Sequence, residues 1–268
     1  MNIYCITKKQ ILFFSTIFFF VCVGISICFF IFAEQEVPSI NTSSISLEDT
    51  QSKIDALYMG TEKVAYLTFD DGPTKVATPI ILDILKEENV FATFFVIGFR
   101  VEEFPDIVKR TYEEGHFIAN HSYSHQNTKL YQSKTSFLNE IQKTDEAIAK
   151  ALGFPSYQSH LFRFPNGSHT SDYAVAKKNA KLYLQEIGYY YVDWNVLNDD
   201  SMQKYSSSEL LQNLKKSCKG KHTLVILMHD TIDVSKSYTA LQESIQFLKQ
   251  EGYSFATFSS FFSDNSSF

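Results

Sequence analysis

The chain of 268 residues carries 24 Lys plus Arg against 30 Asp plus Glu, a formal net charge of −6, and 44% of it is hydrophobic. That length suits one ordinary domain with a short appendage, and a charged fraction of 20% beside 25 Phe and 15 Tyr excludes global disorder and fibrous repeats. The acidic balance also argues against a nucleic-acid partner, which would select for a basic face.

Residues 1–10 are short and contain Lys8 and Lys9. Residues 11–33, ILFFSTIFFFVCVGISICFFIFA, carry no charge, and at about 1.5 Å per residue such a run crosses a hydrocarbon core of about 30 Å. A cleaved secretory signal has an apolar region of roughly 7–15 residues and a small-x-small end, whereas this run is longer and closes on Ile31-Phe32-Ala33. The expectation is an uncleaved single-pass anchor in the cell membrane. Lys8 and Lys9 before it, with Glu34 and Glu36 after it, place residues 1–10 in the cytoplasm and the rest outside. From Glu34 onward there are 22 basic and 30 acidic residues. Cys5, Cys22 and Cys28 belong to the N-terminal stretch, so Cys218 stands alone in the exterior part and neither an intramolecular disulfide nor a cysteine zinc site can form there.

Residues 34–61 are polar, rich in Ser and Thr, and lack a sustained apolar period, so they read as a tether. From residue 62 to 268 short apolar runs alternate with amphipathic stretches. VAYLTF, FATFFVIG, FIANH, LFRFP, YYYVDW, TLVILMH and SFATF are strand candidates. TPIILDILKEENV, DIVKRTYEEG, SFLNEIQKTDEAIAKALG, AVAKKNAKLYLQEIG, SSELLQNLKKSCKG and TALQESIQFLKQEG are helix candidates, several closed by Gly at the cap. This alternation predicts an α/β fold with about seven parallel strands, closed or nearly closed into a barrel.

Parallel barrels carry their chemistry at the strands' C-terminal ends. Here those ends hold Asp70 and Asp71, His121, Arg163, Asp193 and His229. Asp70-Asp71-Gly72-Pro73 is a sharp turn that presents two carboxylates, although Asp also serves as a plain turn residue. HSYSH spaces His121 and His125 four apart, so that one helical turn would put both imidazoles on one ion, with Asp71 as a third ligand and positions left for water or substrate. RFPNG supplies Arg163, suited to a carboxylate partner, then a Pro165-Asn166-Gly167 turn with exposed backbone donors. Asp193 adjoins Trp194, the single tryptophan, and His229 ends the most apolar strand.

Taken together and in this order, TFDDGP, HSYSH, RFPNG, Asp193-Trp194 and LMH from Leu227 resemble the motifs of the NodB-homology polysaccharide deacetylases, carbohydrate esterase family 4, over residues 62–262. The resemblance implies a distorted (β/α) barrel and metal-dependent removal of N-acetyl groups from amino-sugar polymers. It also implies that the backbone N–H of Asn166 meets the oxyanion. The family often has an aromatic residue where Asn166 stands, which affects a sugar contact rather than that N–H.

The chemistry of the residues agrees with that reading. An ion held by Asp71, His121 and His125 would polarise the acetyl carbonyl, zinc being the first expectation from the donor types and cobalt a substitute. Asp70 would act as general base, oriented by Arg163, and His229 as general acid, with Asp193 favouring its cationic form. Pro165 and Asn166 would lie on the substrate side, and Trp194 and Leu227 would shape a pocket for the acetyl methyl. An anchored enzyme facing the wall makes peptidoglycan the expected polymer, with either N-acetylglucosamine or N-acetylmuramic acid as the sugar. The alternatives are an O-acetyl esterase on xylan or another acetylated polysaccharide, and an inactive sugar-binding module.

Overall fold

The computed structural model describes residues 47–262 apart from 203, 232 and 233. The expected anchor at 11–33 lies outside the described residues. Among the described residues no helix is long and apolar enough to cross a membrane.

The strands are β1 (Val64–Asp70), β2 (Ala92–Val96), β3 (Phe117–Asn120), β4 (Leu161–Phe162), β5 (Tyr190–Tyr191), β6 (Val196–Leu197), β7 (Thr223–His229) and β8 (Ser254–Phe255). The helices are α1 (Leu47–Ala56), α2 (Ala77–Glu87), α3 (Gly98–Glu103), α4 (Pro105–Glu113), α5 (Asn127–Leu130), α6 (Lys134–Leu152), α7 (Ala174–Glu186), α8 (Ser207–Cys218) and α9 (Val234–Gln250). All pairings are parallel, and the sheet runs β5-β4-β3-β2-β1-β7-β6 with β8 joined to the start of β1. The barrel is therefore distorted and stays open, because β5 and β6 are the two ends of that path. The two-residue β6 has no counterpart among the sequence-predicted strands; it is too short to leave a periodic signal.

Alternation on β1 builds both layers. Ala65, Leu67 and Phe69 join Phe94, Ile118, Leu224, Ile226 and Met228 under the helices. Tyr66 faces the other way, into an interior shared with Phe95, Ala119, Leu161, Val225 and Phe258. On α2, Ile81, Leu82, Ile84 and Leu85 are buried at helical spacing, and each such side chain contributes about 1.5–3 kcal/mol through burial. Ser206 and Glu209 form a capping box on α8, and Gly153 ends α6 in the left-handed conformation at φ 74°.

Part of the stretch expected to be tether is structured. In α1, Ile54 is fully buried against the barrel interior, and the side-chain amide of Gln51 donates to Tyr191 O and accepts from Tyr191 N–H, both at 3.0 Å. Gln51 thus satisfies the backbone of edge strand β5. Polar composition concealed this helix because its apolar positions are few, and Ile54 is buried by residues far away in sequence.

Candidate active site

The strand register brings the polar ends to one mouth. Asp70 is level with Phe95 of β2 and His229 of β7, and Asn120 is level with Val96 and Phe162. Asp70 itself is buried and points to the interior side of β1, with its Oδ1 accepting a 2.9 Å hydrogen bond from Arg163 Nη1. The next residue, Asp71, takes φ 77°, which turns its carboxylate to different surroundings. Gly72 follows because a Cβ there would sit 1.8 Å from Asp230 Oδ2.

Asp71 Oδ1 is buried, has no hydrogen bond, and lies 3.4 Å from His121 Nε2 and 3.1 Å from His125 Nε2. One ligand atom from each of the three residues falls within 4.8 Å of the others. His121 Nδ1 meets Arg163 O at 2.8 Å, which assigns the proton to Nδ1 and leaves the Nε2 lone pair for an ion. The donor set of one carboxylate and two imidazoles fits a divalent transition metal with open positions. Burial opposes ionisation of Asp71, but His121, His125 and His229 outweigh it and hold the carboxyl below its ordinary range.

The two histidines do not share a helical turn, as their spacing had suggested. Residues 121–126 form a loop in which Ser122 and His125 have φ of 67° and 53°. Asn120 Oδ1 accepts Ser122 N–H at 3.0 Å, Ser122 Oγ accepts His125 N–H at 3.1 Å, and Glu140 accepts from Ser124 N–H and Oγ–H.

Arg163 is fully buried and uses four of its five N–H groups: Nε to Val192 O, Nη1 to Thr68 Oγ1 and Asp70 Oδ1, and Nη2 to Asp193 O. Its guanidinium lies 4.0 Å from the centre of the Phe95 ring. The planar cation therefore has little freedom, and neither has the carboxylate it holds.

His229 departs from expectation in its partner. Its Nδ1 is 2.8 Å from Asp200 Oδ1, and its backbone N–H donates to Asp200 Oδ2 at 2.7 Å. Burial pushes this imidazole down, but the hydrogen bond and charge of Asp200, with Asp70 and Asp71 behind it, raise it to about 9. Asp193, the predicted partner, instead accepts from Ser168 N–H at 2.9 Å and from Ser168 Oγ–H at 2.6 Å. The physical reason is β6: Asp193 follows edge strand β5, whereas Asp200 follows β6, which pairs directly with β7. The Asn198-Asp199-Asp200 run was the available signal for it.

Of the remaining predicted residues, Pro165 is buried and Asn166 exposed in the loop after β4. Leu227 is level with Leu197 and Thr68, on the face of β7 that also carries Val225 and His229. Trp194 backs the loop at Gly167, where an added Cβ would lie 3.0 Å from the indole.

Parallel α/β folding with carboxylates, two imidazoles and an arginine at one mouth defines a hydrolase-type centre. Residues 58–189 match the polysaccharide deacetylase family. The chain is 39% identical to YheN of Bacillus subtilis over 202 residues, 72% of this chain and 66% of that protein, so it spans just under two thirds of this relative. It is 36% identical to a peptidoglycan-N-acetylglucosamine deacetylase of Bacillus cereus over 203 residues, 74% of this chain and 87% of that one. Its structure is similar to that of a Streptococcus mutans CE4 esterase, with a TM-score of 0.68 and 28% identity, covering 77% of this chain and 90% of the other. The chain belongs to the polysaccharide deacetylase family, as the motif order implied.

Proposed function

We propose that this protein is a divalent-metal-dependent hydrolase that removes N-acetyl groups from cell-wall peptidoglycan, at N-acetylglucosamine, and that residues 11–33 hold it on the outer side of the cell membrane. The observation that carries the reading is the division of two adjacent aspartates. Asp71 Oδ1, buried and without a hydrogen bond, faces two imidazole nitrogens, while Asp70 is fixed on a buried arginine.

A divalent ion held by Asp71, His121 and His125 would supply Lewis acidity to polarise the acetyl carbonyl and acidify a water, zinc being the natural choice for these donors. Asp70 takes the proton of the attacking water, and Arg163 keeps its carboxylate aimed through the 2.9 Å hydrogen bond to Oδ1. The Asn166 N–H, which has no acceptor among the described residues, donates to the developing oxyanion. His229, cationic at neutral pH through Asp200, delivers a proton to the departing amine nitrogen, which leaves poorly without one. Leu227 and Trp194 offer apolar surface to the acetyl methyl.

An ester would be cleaved by the same groups, and the Streptococcus mutans neighbour is described as an esterase. The test is acetate release by the detergent-solubilised full chain from peptidoglycan, N-acetylglucosamine oligomers and acetylated xylan, before and after chelation. Release from the first two that is lost on chelation and restored by zinc or cobalt is expected. Release from xylan alone would move the assignment to the esterase, and full activity without bound metal would remove the ion from the mechanism.

A further inference from the structure

The loop carrying the Asn166 N–H is held in an unusual way. Asn166 and Gly167 both adopt left-handed backbone, at φ 63° and 79°. A non-glycine residue keeps that conformation only where its surroundings over-determine it. The next peptide group is gripped at both ends. Gly167 O accepts a 2.8 Å hydrogen bond from Lys177 Nζ, while Ser168 N–H, the other end of the same peptide plane, donates to Asp193 Oδ1 at 2.9 Å. Ser168 Oγ–H adds a second bond to Asp193, and Lys177 Nζ a second to Thr170 Oγ1. Trp194 closes one side of Gly167.

Lys177 is 1% exposed, and its ammonium donates to Gly167 O and Thr170 Oγ1, with the Asp193 and Asp172 carboxylates acting on it only by charge from further away. A buried ammonium spent on a neutral carbonyl and a hydroxyl is costly for stability alone. Asp193 is tied to the same unit by its backbone, since its carbonyl accepts from Arg163 Nη2 at 3.1 Å. Arg163 in turn holds the base Asp70, and its carbonyl meets the ligand His121. The grip on residues 167–168 is therefore continuous with the reacting centre.

We infer that Lys177 and Asp193 are positioning residues that lock the Gly167–Ser168 peptide plane and so aim the Asn166 N–H at the oxyanion, an assignment that rests on the deacetylase reading. Neither touches substrate. Their contribution falls on the transition state and not on ground-state binding.

The test compares the full-length wild type with Lys177→Met, Asp193→Asn and Ser168→Ala, reading kcat, KM, metal content, thermal midpoint and inhibition by a phosphonate analogue of the acetamide, which mimics the tetrahedral anion. Loss of aim by about 1 Å corresponds to about a 10²-fold fall in kcat for the first two variants. Ser168→Ala, which removes a single hydrogen bond, falls about tenfold. KM and metal content stay at the wild-type values, and the phosphonate weakens in proportion to kcat/KM across the series. Merely structural damage would not produce that proportionality. Retention of kcat within about twofold in Lys177→Met and Asp193→Asn overturns the inference, as does lost activity with unchanged phosphonate affinity. Should Lys177→Met not fold, Asp193→Asn and Ser168→Ala decide by the same criteria. A wild type that releases no acetate overturns the deacetylase reading itself, a result distinct from any pattern among the variants.

Discussion

Asp70 and Asp71 are equivalent in composition and different in surroundings, and the left-handed backbone at Asp71 makes the difference. Loss of a base and loss of a ligand separate in one experiment. Asp70→Asn is expected to keep the metal and lose about 10²–10⁴ in rate, the usual range for a general base. Asp71→Asn is expected to lose metal affinity and recover part of its rate at high metal concentration. Metal titration beside acetate release checks both, and loss of metal from Asp70→Asn would exchange the two roles. The His229–Asp200 pair adds a pH test. Because the folded imidazole is raised from 6.5 to about 9, the pair's stabilisation is complete below the unfolded value and disappears as pH rises through the folded one. In Asp200→Asn, burial acts with less opposition, so the alkaline limb of the kcat profile moves to lower pH. The stability difference from wild type should be larger at about pH 6 than at about pH 10. An unmoved limb would mean that His229 is not the acid.

Helix α6 reaches the loop of the proposed metal ligands through Asn120, which is fully buried between β3 and that helix. Asn120 Nδ2 donates to Asp145 Oδ1 and Ile141 O, both at 3.0 Å, so its Oδ1 must face Ser122 N–H and hold the loop between His121 and His125. Asn120→Leu keeps volume and removes all three bonds. Outer-shell losses of this kind typically lower metal affinity by about 10–100-fold, and competition with a chromogenic chelator would measure it; unchanged affinity would show that the loop keeps its shape without Asn120. None of this network was legible in the sequence, since Asn120 and Asp145 look like ordinary polar residues until β3 and α6 are packed. The strand-end residues were legible because apolar runs such as TLVILMH stop abruptly at a polar side chain. Asp200 was hidden by the brevity of β6. The His121–His125 spacing suggested a helix because a four-residue interval has that simplest explanation, and only the hydrogen bonds of Ser122 reveal a turn instead.

For the molecule as a whole, the open seam between β5 and β6 leaves edge strand β5 in need of a partner, and α1 supplies one through Gln51 while burying Ile54. The folded unit consequently includes α1 from Leu47 and does not start at residue 62, where the regular apolar alternation starts. This sharpens what the proposed anchor predicts. Protease added to intact cells should release a fragment whose N-terminus lies before Leu47, because cutting inside α1 requires a helix packed on the barrel to open first. That fragment should remain folded and release acetate, while a stub containing residues 11–33 stays with the membrane. N-terminal sequencing of the released protein, with activity measured on the same sample, provides the check. A first cut after Gly60 would show that α1 is not integral to the domain. Spontaneous appearance of the whole domain in the medium with a new N-terminus near Glu34 would show that the apolar run is a cleaved signal and not an anchor.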